Sequence, residues 1–158
     1  MSNENYYIVE ANVDDSNKIT WNSELEQERK SALFDLLNNG LFRLKKKKRG
    51  PFKLNIKLVE WKLSIKIYDT YDKTNIVVTT SVSKIRRIIR DYQIVCENYV
   101  EAIKTAPLKK IEAIDIGRRT IHDEGAEILI SLLSEHLEID IGTARRLFTL
   151  ISILSIKI

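Results

Sequence analysis

Cysteine, proline and glycine are scarce in this chain, and each scarcity excludes a class of protein. One cysteine, Cys96, among 158 residues cannot close an internal disulfide, which excludes a disulfide-stapled scaffold and favours a reducing compartment. Two prolines and five glycines, beside 44% hydrophobic residues, argue against a disordered chain. The sparse glycines also form no phosphate-binding loop and no dinucleotide fingerprint.

Long hydrophobic runs are missing as well. The longest, residues 147–156, has ten residues, whereas a membrane-spanning helix needs about 20. The first residues, MSNENYYIVEANVDD, have neither the basic nor the apolar region of a secretion signal. We therefore expect a cytoplasmic protein without a membrane partner, built as a single domain over residues 1–158.

Positive charge is concentrated in the middle of the chain. The net charge of +4 divides into −4 for residues 1–30, +11 for residues 31–110 and −3 for residues 111–158. A basic middle favours a polyanionic partner, although charge alone does not identify one.

Residues 52–69 alternate between apolar and polar side chains, which predicts an antiparallel hairpin with one buried face. A turn at Glu60 and Trp61 would place the apolar residues of the two strands opposite one another. The expected pairs are Leu58 with Leu63, Ile56 with Ile65, and Leu54 with Ile67. Residues 75–82 extend the meander as a third strand, and residues 6–13 are rich in β-branched and aromatic residues and predict another.

Apolar residues at helical spacing predict two helices that flank the hairpin. The first covers residues 22–40, with Ser23 at its start and Gly40 as its stop. The second covers residues 83–106, with Ser83 as its cap.

A last helix is predicted at residues 141–154, with Asp140 as its cap. Because it is apolar on nearly all sides from Leu147 onward, we place it centrally in the core. The expected fold is α+β: an antiparallel sheet of three to four strands covered by four to five helices.

Residues 115–125, DIGRRTIHDEG, concentrate charge where two further helices are expected to meet. Gly117 stands where a helix ends in the left-handed conformation. Thr120 and Asp123 have the spacing of a capping box, with Asp in place of the usual Glu or Gln. We therefore predict that one helix ends here and the next begins near Ile121.

A continuous helix is the alternative at this joint. It would extend the helix that Pro107 begins, and it would place Arg118 on the apolar stripe between Ile114 and Ile121. A charge in that position would need a close partner.

Five ordered motifs carry a resemblance to a known family. They are RKSALFDLL, GPFKLNI, RRIIRDYQIVCENYVEAI, APLKKIEAIDIGRRTIHDEGAEIL and TARRLFTLI. Together they resemble Uncharacterised Protein Family 0262, a group of small bacterial proteins, over roughly Glu26 to Leu154. The resemblance implies a bacterial, single-domain protein and carries no activity and no functional residues. The lysines at 45–48 look less typical of the family than the neighbouring GPF.

The predicted joint is a candidate anion site. A helix N-terminus offers free amides and a partial positive charge, to which Arg118, Arg119, Thr120 and His122 would add donors for a phosphate or carboxylate. In this hypothesis the protein is an enzyme that acts on an anionic small molecule, with His122 as its acid or base. The alternative is two helix caps whose arginines bind nearby carbonyls or Asp115.

A basic loop and one face of the hairpin form a candidate nucleic-acid surface. Lysines can neutralise phosphates while a nearby aromatic side chain, such as Trp61 or Tyr68, stacks on a base. The alternative is a solvated face, because exposed faces of antiparallel sheets are ordinarily polar. The basic residues are Lys45, Lys46, Lys47, Lys48, Arg49, Lys53, Lys57 and Lys66.

No convincing catalytic constellation appears in the sequence. The histidines lack metal-ligand spacing, so we expect neither a metal nor a cofactor. Cys96 lies on an apolar stripe beside Tyr92 and Tyr99, which favours a buried structural thiol over a nucleophile. The leading hypothesis is therefore a non-catalytic binding or interaction module, with a partner protein or a second copy of itself.

Overall fold

The computed structural model describes residues 6–14, 23–45 and 48–157, which form an α+β fold with two sheets and four α-helices. The strands are β1 (Ile8–Val13), β2 (Phe42–Leu44), β3 (Phe52–Val59), β4 (Lys62–Asp69), β5 (Thr74–Ser81) and β6 (Leu137–Ile139). The helices are α1 (Ser23–Asn39), α2 (Arg86–Thr105), α3 (Leu108–Leu133) and α4 (Ile141–Leu154).

The β3–β4 hairpin has the predicted register. Leu58 lies opposite Leu63, and the two remaining predicted pairs are also present. Glu60 and Trp61 link the strands with positive φ angles of 48° and 64°, which suits the twist of a two-residue hairpin turn. Buried and solvent-facing side chains alternate along β3, so one face of the sheet belongs to the core.

The larger sheet has the strand order β1-β3-β4-β5 and is mixed. β5 pairs antiparallel with β4, which confirms the third strand of the meander. β1 instead runs parallel to β3, so the prediction of an antiparallel sheet is wrong for this strand. The connection explains the difference: α1 lies between β1 and β3 and carries the chain back to the end of the sheet at which β1 began.

β2 and β6 form a second, two-stranded antiparallel sheet that the sequence did not predict. Phe42 lies opposite Ile139, and Leu44 lies opposite Leu137. With three residues each, the strands are too short to give a periodic signal. The pair joins the end of α1 to the segment between α3 and α4.

α4 is the central helix, as predicted. Asp140 accepts a hydrogen bond from the Thr143 N–H at 3.0 Å, which confirms the N-cap. Between Leu147 and Leu154 every side chain except that of Thr149 is buried. The helix contacts α1, α3 and β3, so it joins the helical layer to the buried face of the sheet.

The two helices that flank the hairpin, α1 and α2, agree with the predicted helices except at the start of α2. α1 has nearly its predicted bounds, and the Gly40 N–H donates to the Leu36 carbonyl at 2.9 Å. A Cβ at Gly40 would overlap that carbonyl, so the stop requires glycine. The predicted cap at Ser83 is wrong: this residue donates its N–H to Ser81 Oγ and begins a 3₁₀ turn, and α2 starts at Arg86 without a side-chain cap.

Candidate functional site

α3 runs without a break through the predicted joint, so the predicted helix end at Gly117 and the new start near Ile121 are wrong. The hydroxyl of Thr120 donates to the Ile116 carbonyl at 2.8 Å inside the helix and caps nothing. A continuous helix has no free N-terminal amides at this point. The candidate anion site therefore lacks the backbone donors on which it was based.

Asp115 holds both arginines of the joint. Its Oδ1 accepts from Arg118 Nε at 3.1 Å and from Arg118 Nη2 at 2.6 Å. Its Oδ2 accepts from Arg119 Nε at 3.0 Å and also from Arg119 Nη2. These hydrogen bonds, those from Arg118 first, lower the pKa of Asp115. These two ion pairs of Asp115 lie where the sequence predicted helix caps.

Arg118 has the close partners that a continuous helix was expected to demand. Besides Asp115, its guanidinium lies over the ring of Tyr99, with 5.5 Å from Cζ to the ring centroid. Arg119 points to solvent, with a side chain 69% exposed. The two arginines thus diverge: Arg118 borders a groove between α1, α2 and α4, and Arg119 does not line that groove.

His122 follows Arg118 by one helical turn on α3, and its ring lies between α2 and α4. Its ring stacks on Tyr92 with centroids 5.1 Å apart and meets the edge of Phe148 at 5.3 Å. His122 Nε2 is 2.9 Å from Thr149 Oγ1, and the Thr149 hydroxyl donates to the Arg145 carbonyl at 3.1 Å. Because the Thr149 hydroxyl donates its proton to Arg145, it accepts from His122, which therefore carries its proton on Nε2. Burial lowers the pKa of His122 to about 4, so the ring is neutral at pH 7.

A groove of about 990 Å³ lies between α1, α2 and the C-terminal end of α4. Trp61, Tyr92, Tyr99 and Ile153 give it aromatic and apolar walls, and Arg118 enters it from α3. Sequence analysis missed this groove because its walls come from segments that are far apart along the chain.

Acidic side chains outnumber basic ones around the groove. Burial raises the pKa of Glu28, while the charge of Arg118 acts in the opposite direction. Four glutamates face two arginines, so the groove is negative on balance. The charged residues that border it are Glu24, Glu28, Glu97, Glu101, Arg90 and Arg118.

Tyr92 and Cys96 lie together on the α2 side of the groove. Burial is the main reason that the pKa values of the Tyr92 hydroxyl and the Cys96 thiol are both raised. A thiol with a raised pKa stays protonated at pH 7 and is a poor nucleophile. Cys96 is half-buried and packs against the core.

The lysine face is the solvent-facing side of β3 and β4, with Lys53, Lys57, Lys62 and Lys66. Lys62 was not among the predicted residues. Acidic partners come from the β1 side of the sheet: Lys53 lies 3.6 Å from Glu10, and Lys57 lies 4.0 Å from Asp14. The Lys53 ammonium also lies 6.0 Å from the ring of Tyr68.

The predicted basic loop is only partly described, because Lys46 and Lys47 lie outside the described residues. The Lys45 N–H donates to the His136 carbonyl. Lys48 Nζ contacts Asp72 at 3.5 Å and Thr74 at 3.1 Å. The guanidinium of Arg49 lies 4.7 Å from the centroid of the Tyr71 ring. Lys48 and Arg49 therefore lie at the β4–β5 turn, whereas the backbone of Lys45 lies beside His136.

The described residues contain neither a metal-ligand cluster nor a membrane-spanning helix. Residues 6–14, 23–45 and 48–157 contain no group of three or more His, Cys, Asp or Glu side chains that could hold a metal ion. Within the same ranges, no helix combines the length and the apolar character needed to cross a membrane.

Comparison with known proteins gives a family. The model of an uncharacterised protein family, UPF0262, matches residues 5–157. A UPF0262 protein of Agrobacterium fabrum is 43% identical over 131 residues, which cover 83% of either chain. One of Cereibacter sphaeroides is 40% identical over 93% of this chain and 96% of its own. One of Rhodopseudomonas palustris is 42% identical over 97% of this chain and 94% of its own. No solved structure matches the chain.

Proposed function

The chain belongs to the bacterial family UPF0262, whose function is uncharacterised, and we propose that it is a non-catalytic binding protein for a small organic cation. The observation that carries this proposal is the groove between α1, α2 and the end of α4, which combines aromatic walls with an excess of carboxylates.

The size of the groove supports a small molecule as the ligand. Pockets for small ligands enclose about 300–1,000 Å³ and are lined mainly by apolar and aromatic side chains with a few polar groups. The groove encloses about 990 Å³, at the upper end of that range, with Trp61 and Ile153 buried in its walls.

The charges of the groove support a cation. Glu28 and three further glutamates border it, against Arg90 and Arg118, and only one of the four, Glu101, has a lysine partner among the described residues, Lys104. The guanidinium of Arg118 already lies over the Tyr99 ring, so the carboxylates attract the cation and the apolar walls hold its body. A ligand with an ammonium group and an apolar body would match both features.

The titration of the nearby groups supports binding rather than catalysis. The thiol of Cys96 is protonated at pH 7 because burial raises its pKa. His122 hydrogen-bonds Thr149 behind the ring of Tyr92 and does not border the groove. Neither side chain is arranged as a nucleophile with an adjacent base. The scarcity of cysteine supports a cytoplasmic location for this binding protein.

A matched pair of probes tests the proposal. Octylammonium and octanoate have equal chain lengths and opposite charges, so they separate charge from apolar contact. The fluorescence of Trp61 reports on the groove when the other tryptophan is removed by Trp21→Phe, at a position outside the described residues. We expect octylammonium to change the fluorescence at a concentration at least about tenfold below that of octanoate.

Variants locate the binding. Glu28→Gln should weaken octylammonium binding, because it removes a carboxylate at the groove. Glu127→Gln is the matched control, since Glu127 is exposed on α3 and does not border the groove. Equal affinities for both probes, or equal effects of both variants, would contradict the proposal.

Binding of a polyanion to the lysine face is the second candidate function. The observation that favours it is the uncovered sheet surface on which Lys62 and Lys66 have no acidic partner among the described residues. A labelled single-stranded oligonucleotide tests it. Binding should fall steeply with added salt and weaken in Lys62→Glu/Lys66→Glu, because released counterions drive such contacts. Salt-independent binding or no binding would exclude this candidate.

A further inference from the structure

β5 is an edge strand of the four-stranded sheet, and no other strand of the described residues pairs with its outer side. The Val82 N–H donates to the Trp61 carbonyl, which fixes the alternation of the antiparallel ladder with β4. The backbone groups of every second residue therefore point away from β4. These outward residues are Asn75, Val77, Thr79 and Ser81, and their backbone groups have no hydrogen-bond partner among the described residues.

The edge lacks the devices that usually prevent pairing with another strand. Between Asn75 and Val82 there is no charged residue and no proline, and the register with β4 is continuous. Val77 on this edge is 59% exposed. The opposite edge is different: β1 has a register shift beside Glu10 and packs against α1 more extensively than β5 packs against α3. Among the described residues, β5 is therefore the edge that is more open to an added strand.

Positive charge surrounds the open edge. On the adjacent strand β4, Lys62 and Lys66 point to the same face as Val77 and Thr79. Lys73 precedes β5 at one end, and further cations follow at the other. The cations beyond the second end are Lys84, Arg86 and Arg87. A second copy of this chain would bring one basic end against the other, whereas an acidic strand would be attracted along the whole edge.

We propose that β5 is a docking edge for an extended acidic segment of a partner protein, which adds to the sheet as a fifth strand. Backbone hydrogen bonds to the four outward residues supply the pairing. Acidic side chains at alternate positions of the segment lie on the same face as Lys62 and Lys66, two strand spacings of about 4.8 Å away, which the long lysine side chains can span. This inference is independent of the ligand of the groove.

A nonapeptide that alternates Glu with Val and Thr is the probe, and its counterpart with Lys in place of Glu is the control. Amide hydrogen exchange of the full chain, resolved by residue, is the measurement. We expect the acidic peptide to slow exchange at Asn75, Val77, Thr79 and Ser81 by at least about tenfold. The basic peptide should leave these amides unchanged. If the acidic peptide protects none of them, the proposal is wrong.

Val77→Pro removes one outward N–H and leaves the ladder with β4 intact, because Val77 does not bond to β4. This variant should abolish binding of the acidic peptide, whereas Val77→Thr, which keeps the amide, should not. Thr79→Pro repeats the test in case Val77→Pro does not fold. If the acidic peptide binds a folded proline variant as well as it binds the unchanged protein, strand addition is wrong. The peptide would then bind only through charge, as a polyanion on the lysine face would.

Analytical sedimentation of the protein alone tests whether a second copy of the chain occupies this edge. We expect a monomer across the accessible concentration range. A dimer that dissociates in Val77→Pro would overturn the proposal in favour of a second copy at this edge.

Discussion

The two halves of α3 belong to the same helix but are held in place by different interactions. No side chain in residues 108–120 is buried, and Leu108 and Ile116 are 69% and 63% exposed. In residues 121–133, Ala126, Leu129 and Leu133 are buried. The first half carries the ion pairs of Asp115 and the contact of Arg118 with Tyr99 of α2, whereas the second half packs its buried residues on α4.

This difference shows how a helix can continue through a segment whose sequence contains helix-termination signals. The signals at Gly117 and Thr120 are local, and each changes the free energy of the helix by about 1 kcal/mol or less. The Asp115 pairs on one side and packing on α4 on the other act on the same stretch. Ion pairs with residues three and four positions away, together with packing on α4, therefore outweigh these two local signals, and Gly117 has open space where a cap was predicted.

The two glycines of α3 should respond oppositely to alanine, and this contrast is the largest effect that we expect. Gly125 is buried, and a Cβ there would collide with the ring of Phe148, so Gly125→Ala should lower the free energy of unfolding by about 3 kcal/mol. A Cβ at Gly117 meets nothing within 4 Å, so Gly117→Ala should raise it by about 0.5–1 kcal/mol. Urea unfolding of both variants gives the two values.

A combined change shows whether the collision is the cause. Phe148→Leu removes the ring edge that lies against Gly125, so it should reduce the cost of Gly125→Ala in a double-mutant cycle. It should leave the gain from Gly117→Ala unchanged. Equal effects of the two alanines would remove the proposed difference between the halves.

Acid should weaken the second half through His122. The pKa of this ring is about 4 in the folded state against 6.5 for an unperturbed histidine. Between these values the unfolded chain binds a proton that the folded chain does not, so stability falls as the pH drops from 6.5 toward 4. The loss attributable to His122 should reach at most about 3 kcal/mol.

His122→Gln is the comparison for this pH dependence, because glutamine stays neutral and can still donate to Thr149. The measurement is the difference between the two stability curves from pH 7 to pH 4. Parallel curves would mean that burial does not hold the ring neutral.

The smallest effect is expected in the first half, where Asp115→Asn removes the charge that holds Arg118 and Arg119. Amides in residues 108–120 should exchange faster, while those in residues 121–133 should not change. The effect should shrink in high salt, because exposed ion pairs are screened. Glu112→Gln, an exposed carboxylate on the same half, is the control. Equal acceleration in both halves would show that they unfold as one unit.

The features that the sequence predicted well depend on neighbours close in the chain. The β3–β4 pairing follows from alternation across one turn at Glu60 and Trp61, and the Asp140 cap needs contacts only three residues away. The apolar character of α4 on all sides likewise predicts a central place without reference to a partner.

The features that sequence analysis missed depend on distant partners. The parallel pairing of β1 with β3 and the pairing of β2 with β6 are fixed only when the helices between them are packed. The candidate anion residues Arg118 and Arg119 pair with Asp115, as one alternative held, whereas His122 hydrogen-bonds Thr149 of α4 instead of joining them. The groove gives no local signal at all.

The central position of α4 has a consequence for the order in which the protein is made. A ribosome delivers both sheets' strands and α1 to α3 before the helix that they surround, since α4 follows all of them in the chain. Until it emerges, the apolar face of the sheet has no complete cover, and the nascent chain exposes surface that attracts chaperones and aggregation. The helix that closes the core, α4, therefore emerges after the strands and helices that surround it.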